Sequence, residues 1–216
     1  MKEWYFNDSQ QMNDWEFCKK GPCEWNKYMG LEPEIHGGFI RLNCVKDGDT
    51  YKTAGIQTKE LLGDGTVEIK ARFRGGDSSW PALWLINERA DKYYEIDIAE
   101  YFGDNDKVKS GLFMPKHING TLNKLKRLFR PKENTKINKN DWNIFQCQWN
   151  ADAIKIAING KVILTYKNNG KEDSYPQTED YRKFNLILSM QYGHGKPKPS
   201  QLPLYMDVEH VLYIEK

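Results

Sequence analysis

The stretch Tyr93-Tyr94-Glu95-Ile96-Asp97-Ile98-Ala99-Glu100 sets three carboxylates close together. Alternate side chains of a strand share a face, so Glu95 and Asp97 point one way and Ile96 and Ile98 the other. Glu100 is out of phase by one residue. A β-bulge near Ala99 would bring it back to the side of Glu95 and Asp97. Crowding like charges on one patch is unfavourable, so a purely structural reason for it is hard to find. It does suit retaining glycoside hydrolysis, which needs two carboxyls roughly 5–5.5 Å apart. One is ionised and attacks the anomeric carbon; the other is protonated and releases the leaving oxygen. Mutual repulsion drives their pKa values apart and so separates the two roles. An acid between them, Asp97, can hydrogen-bond the attacking carboxylate and tune it. Two blander readings stay open: an exposed acidic edge strand, and a metal site, although no His lies at ligand spacing.

The elements around this stretch read as short strands. Gly38–Leu42, Thr66–Phe73, Asn143–Trp149, Ala153–Ile158, Val162–Tyr166, Phe184–Gln191 and Leu204–Ile214 are alternating or β-branched runs between Gly, Asn and Asp. Asn159-Gly160 is the strongest hairpin dipeptide and separates two of them. No long stretch has helical period, and no internal repeat or low-complexity linker is visible. Many short strands with turn punctuation predict an all-β, two-sheet antiparallel sandwich or jelly-roll. At 216 residues, the chain fits one domain over 1–216 better than two small ones.

Aromatic residues make up 13%, with seven Trp, twelve Tyr and nine Phe. They favour strands, and they also stack on sugar faces. The net charge of +2 gives no global pull toward nucleic acid. Residues 115–140 stand apart, with Lys116, Lys124, Lys126, Arg127, Arg130, Lys132, Lys136 and Lys139 against Glu133. The segment reads either as a solvated loop or as a basic rim for an anionic ligand. Its middle, Thr121–Arg130, has the composition of a short helix. No window approaches the ~20 apolar residues of a membrane span. The start, Met1-Lys2-Glu3-Trp4-Tyr5, lacks the apolar region of a signal peptide. Cys18, Cys23, Cys44 and Cys147 are few for a disulfide scaffold, leaving free thiols or one bridge between Cys18 and Cys23.

The motif Glu95-Ile96-Asp97-Ile98-Ala99-Glu100 resembles the bulged Glu-x-Asp-x-x-Glu signature of family 16 glycoside hydrolases, the laminarinase, agarase and carrageenase group. Trp80-Pro81-Ala82-Leu83-Trp84-Leu85 is similar to the strand upstream of that signature. Trp142–Tyr166, Phe184–Met190 and Met206–Val211 are similar to the strands that follow it, so the likeness covers nearly the whole chain. The resemblance implies a jelly-roll with an open cleft across its concave sheet. It also implies endo action with retention on a β-linked glucan or galactan, with a polysaccharide as partner. Glu95 is then the nucleophile, Asp97 its assistant and Glu100 the acid/base. Trp80 and Trp84 share strand parity, so both could face the cleft as partly exposed stacking platforms, Trp84 above all; core packing is the other reading for either, and equally so for Trp80. Tyr93, Ser189 and Gln191 fall where the family lines its cleft. No cofactor is called for, a structural Ca²⁺ is left open, and a monomer acting outside the cell or in the periplasm is expected.

The departures concern substrate. Laminarinases usually carry Trp-Pro-x-x-Gly before the acids and Thr-x-His-Tyr after them. This chain has Ala90-Asp91-Lys92-Tyr93-Tyr94 and Ser110-Gly111-Leu112-Phe113-Met114 instead, and Ser189 replaces a common Asn. With the basic 115–140 segment, these changes point away from plain β-1,3-glucan and toward a sulfated or otherwise anionic galactan. Arg127 and Arg130 would then hold sulfate through paired hydrogen bonds. A transglycosylase stays within the same chemistry. The rival classes are a lectin-like binding jelly-roll and a structural or capsid one. A binding domain has no need of all three acids, and all three are present.

Overall fold

The computed structural model describes residues 1–18, 29–88, 92–103, 106–114, 117–118, 121–122, 128–171, 174–193 and 197–216. The expected strands are present, and their alternation decides which side they bury. In β7 (Gly65–Arg74), Val67, Ile69, Ala71 and Phe73 face inward while Glu68, Lys70 and Arg72 face out. β14 (Asn143–Trp149) does the same with Phe145, Cys147 and Trp149. β15 (Ala153–Ile158) turns into β16 (Lys161–Lys167) through Asn159 at φ 50° and Gly160 at φ 77°. Both are left-handed, as a tight primed hairpin turn requires.

Two layers result. The back sheet runs β5 (Phe39–Asp47), β18 (Leu204–Glu215), β7, β14, β15, β16. β1 (Lys2–Trp4) adds to β18 and β4 (Glu34–His36) to β5. The front sheet runs β13 (Leu128–Lys136), β10 (Lys107–Met114), β9 (Tyr93–Tyr101), β8 (Ser79–Glu88), β17 (Asn185–Tyr192), β6 (Thr50–Thr58). β2 (Trp15–Phe17) pairs β6 on its outer side, and β3 (Met29–Leu31) joins β6 in parallel. β11 (His117–Ile118) pairs antiparallel with β12 (Thr121–Leu122), apart from both sheets. β6 belongs to both layers: Thr50–Thr53 pair with β5 of the back sheet, and Gly55–Gln57 pair with β17 of the front. The antiparallel two-layer arrangement is a jelly-roll sandwich.

The space between the layers is filled by aromatic and branched side chains, among them Phe6, Phe73, Tyr94, Tyr101, Phe145, Trp149 and Phe184. Front-sheet strands β9 and β17 are buried on both faces, not one. Their inward residues belong to the core, and their outward residues form the candidate site.

The helix expected over Thr121–Arg130 is not what the described part of that segment forms. Thr121–Leu122 and Leu128–Arg130 are in strands, and residues 123–127 lie outside the described residues. Leu128 and Phe129 pair with Met114 and Phe113 of β10. This tertiary pairing outweighs a local helical preference of only tenths of a kcal/mol per residue, roughly. Cys18, Cys44 and Cys147 are buried free thiols; burial pushes Cys18 and Cys44 up to about 12 and Cys147 higher. Cys23 lies outside the described residues. Among those described, no helix is long and apolar enough to cross a membrane.

Candidate active site

The phase slip in the acidic stretch is resolved by a bulge. On one side of β9, Leu83 pairs with Ala99 and Trp84 with Asp97, leaving Ile98 over. On the other side, Lys109 pairs with Glu100 and Gly111 with Asp97, so Ser110 stands against both Ile98 and Ala99. The Ser110 hydroxyl donates to the Ile98 carbonyl at 2.7 Å. Ile98 and Ala99 are both fully buried in the core. Because two successive residues turn inward, Glu100 emerges on the face of Glu95 and Asp97. The three acids are 7%, 9% and 3% exposed, in that order.

Each outer acid has a different partner. The Trp80 indole N–H donates to Glu100 Oε1 at 3.0 Å. The Tyr93 hydroxyl donates to Glu95 Oε2. Burial pushes the Glu100 carboxyl up to about 7. The Trp80 hydrogen bond and the Lys109 charge pull against that rise, and the charge of Glu95 adds to it. Glu100 therefore holds a proton at neutral pH in a way an exposed glutamate does not.

On β8 and β17 the expected residues share the same outward face, with roles that differ from expectation. Trp84 is buried at 6% exposure, where partial exposure was expected. It sits in a small apolar cluster with Cys18, Ala82, Ile86 and Ile187, against which Tyr93 packs. Its indole N–H donates to Ser189 Oγ at 3.2 Å, and Gln191 Nε2 donates to the same oxygen at 3.0 Å. β2 and β6 build this cluster up around the indole, since the Cys18 amide is held by the Gly55 carbonyl at 2.9 Å. Trp84, Ser189 and Gln191 thus form a packed polar floor. The half-exposed indole on this face is Trp80. Arg127 lies outside the described residues, and Arg130 is in β13 opposite Leu112.

Sequence reasoning missed the groups that frame Glu100. Phe102 packs against Trp80 in a tilted pair with ring centroids 5.1 Å apart, and Lys109 Nζ lies 5.4 Å from the Phe102 ring centre. Gly193 backs the other part of the indole: a Cβ there would come within 2.8 Å of Trp80 Cε3. Lys132 is exposed and pairs with Gly111, which in turn pairs with Asp97, so it shares the acids' row. The alternation Lys109, Gly111, Phe113 was visible in the sequence. What hid its relation to the acids was the register, which depends on where the bulge falls. Among the described residues, no cluster of His, Cys, Asp and Glu is arranged to hold a metal ion.

Comparison with known proteins agrees with this geometry. Residues 31–193 match the family model described as glycosyl hydrolases family 16. A keratan-sulfate endo-1,4-beta-galactosidase from Sphingobacterium multivorum is 28% identical, over 91% of this chain and 50% of that protein. A beta-glucanase from Rhodothermus marinus is 24% identical, over 74% of this chain and 60% of that protein. The chain thus spans only part of the length of these curated relatives. A laminarinase structure from Flavobacterium sp. UMI-01 superposes with a TM-score of 0.81 at 20% identity, covering 100% of this chain and 99% of that one. The bulged acidic strand therefore stands within a family-wide match, and the chain belongs to family 16 of the glycosyl hydrolases.

Proposed function

We propose that the protein is a retaining endo-β-galactosidase acting on a sulfated, galactose-containing polysaccharide of the keratan sulfate type. The observation that carries the mechanism is the unequal treatment of two carboxyls on one face. Glu100 is held protonated near neutrality by burial and by the charge of Glu95. Glu95 instead accepts a hydrogen bond from the Tyr93 hydroxyl. Glu95 attacks the anomeric carbon while Glu100 gives its proton to the leaving oxygen. Glu100, now ionised, takes a proton from water as that water attacks the glycosyl ester and frees Glu95. Asp97 lies between them and orients the nucleophile.

The substrate class rests on two supports. The relative matched over 91% of this chain is named for keratan sulfate. On the β10–β13 side, Lys109 and Lys132 share the acids' face. An ammonium suits a sulfate as a point charge. The deciding experiment is reducing-end release on keratan sulfate, laminarin, lichenan, agarose, porphyran and carrageenans. Cleavage of keratan sulfate well above laminarin and lichenan is expected. Preferential cleavage of laminarin or lichenan would make the protein a β-glucanase and overturn the galactan reading.

A further inference from the structure

Glu100 is enclosed by a closed ring of contacts. It pairs across the strand with Lys109 and accepts a hydrogen bond from Trp80. Trp80 packs against Phe102 in a tilted pair, and Lys109 Nζ lies 5.4 Å from the centre of that same ring. Lys109 is thus held beside the acid from two directions, by backbone register and by its aromatic contact. Directly opposed residues of an antiparallel pair have Cβ atoms only about 4.5–5.5 Å apart. Among the described residues, the charged or titratable groups on the β9, β10 and β13 part of this face are Tyr93, Glu95 and Asp97, Lys107 and Lys109, and Lys132 and Lys136; farther along the face Glu16 of β2 lies opposite Gln57, and Cys18 packs beside Trp84. Lys136 is ion-paired with Asp106 at 2.9 Å. β8 and β17 bring the neutral Trp80, Ser189 and Gln191.

We infer that Lys109 is the positioning residue that lets Glu100 give up its proton and act as a base in the second half of the cycle. The inference rests on the acid/base assignment of Glu100. In the first half that carboxyl must hold a proton, which burial and the neighbouring Glu95 charge promote. In the second half it must be ionised in the same buried place. Conversion of Glu95 to a glycosyl ester removes one negative neighbour, yet burial still resists ionisation. Lys109 supplies the counter-charge that persists through both halves. It touches neither reacting atom; it acts through Glu100.

The Trp80 indole N–H reports on its acceptor without any substrate. In ¹⁵N-labelled enzyme, its resonance, assigned with Trp80→Phe, should titrate with a midpoint near the value of about 7 expected for Glu100. Glu100→Gln should abolish that titration. Lys109→Met should raise the midpoint by about half a pH unit, because the nearby positive charge is gone. Lys109→Arg should restore it, and Lys109→Gln should behave as Met does, with the dispersed indole spectrum showing each variant folded. A merely structural lysine would lower stability and leave the midpoint in place. An unchanged midpoint in both neutral variants would overturn the inference. If Glu100→Gln instead keeps full turnover on the polysaccharide panel, the acid/base assignment fails, whatever Lys109 does to the titration.

Discussion

Ser110 donates its hydroxyl to the Ile98 carbonyl at the step where β9 carries one residue more than β10. The serine is fully buried, so the hydrogen bond has no water to replace it. Ser110→Ala removes this buried hydrogen bond, at a cost of about 1–3 kcal/mol. The melting temperature should fall. kcat should fall with it, because the bulge sets the spacing of Glu95 and Glu100, while KM moves little. A Ser110→Ala enzyme with wild-type kcat would mean that the bulge is fixed by packing of Ile98 and Ala99 alone.

The two outer acids should separate by substrate. Glu95→Gln is expected to abolish turnover while the folded protein still binds oligosaccharide. Glu100→Ala should recover part of its activity on substrates with an activated leaving group, where proton donation matters less. Asp97→Asn should be damaging but less absolute, since it acts through its neighbour. Full activity of the Glu95 variant on natural polysaccharide would refute the assignment.

Trp80 donates a hydrogen bond to Glu100, Gly193 lies against its ring, and its half-exposed face is the candidate sugar platform. Trp80→Ala should weaken oligosaccharide binding roughly tenfold, the loss of about 1–2 kcal/mol of stacking. Gly193→Ala drives a methyl into the indole and should weaken binding in the same direction with the fold retained. Calorimetry on the Glu95→Gln background measures both without turnover. Equal affinity in all three proteins would remove Trp80 from the sugar site.

Stability should carry the imprint of Glu100. Its carboxyl is raised from 4.5 to about 7 in the folded protein. The folded state therefore binds the proton more tightly than the unfolded chain does. The stability this contributes is fully present below the unfolded value and is lost as pH rises through the folded value. Over that window the loss is on the order of 3 kcal/mol. Glu100→Gln should flatten this slope, so that its melting temperature overtakes that of the wild type by about pH 8. Parallel melting curves for the two proteins between acid and neutral pH would contradict the raised value.

Substrate charge should be legible in salt. If the exposed Lys132 meets sulfate, KM on keratan sulfate rises with ionic strength, while on a neutral polymer it hardly moves. Lys132→Gln should reproduce part of the high-salt behaviour. Salt-independent KM on both polymers would detach this lysine from recognition.

The strands and the acidic face were legible because both follow from period-two alternation and turn chemistry. Val67, Ile69, Ala71 and Phe73 declare their side of β7 without reference to any neighbour. The bulge was legible from the phase slip of Glu100. What stayed hidden depends on register between distant segments. Nothing local to Lys109 says that it pairs with Glu100, and nothing local to Gly193 says that an indole lies against it. Trp84 and Trp80 share parity, yet one is buried and the other half-exposed. Residues as far off as Cys18, carried over the sheet by β2 and β6, cover the first and not the second. The helix-forming composition of Thr121–Arg130 misled in the opposite way, since in the described part Thr121–Leu122 pair with β11 and Leu128–Arg130 with β10.

The divided loyalty of β6 bears on how the enzyme fails. Its first half is laced to the back layer and its second half to the strand that carries Ser189 and Gln191. Neither layer can melt without cutting the same strand loose. Loss of catalytic competence and loss of the back layer should therefore coincide as one cooperative event. The amides of Gly55 and Gln57 should exchange with solvent only as fast as the whole molecule opens.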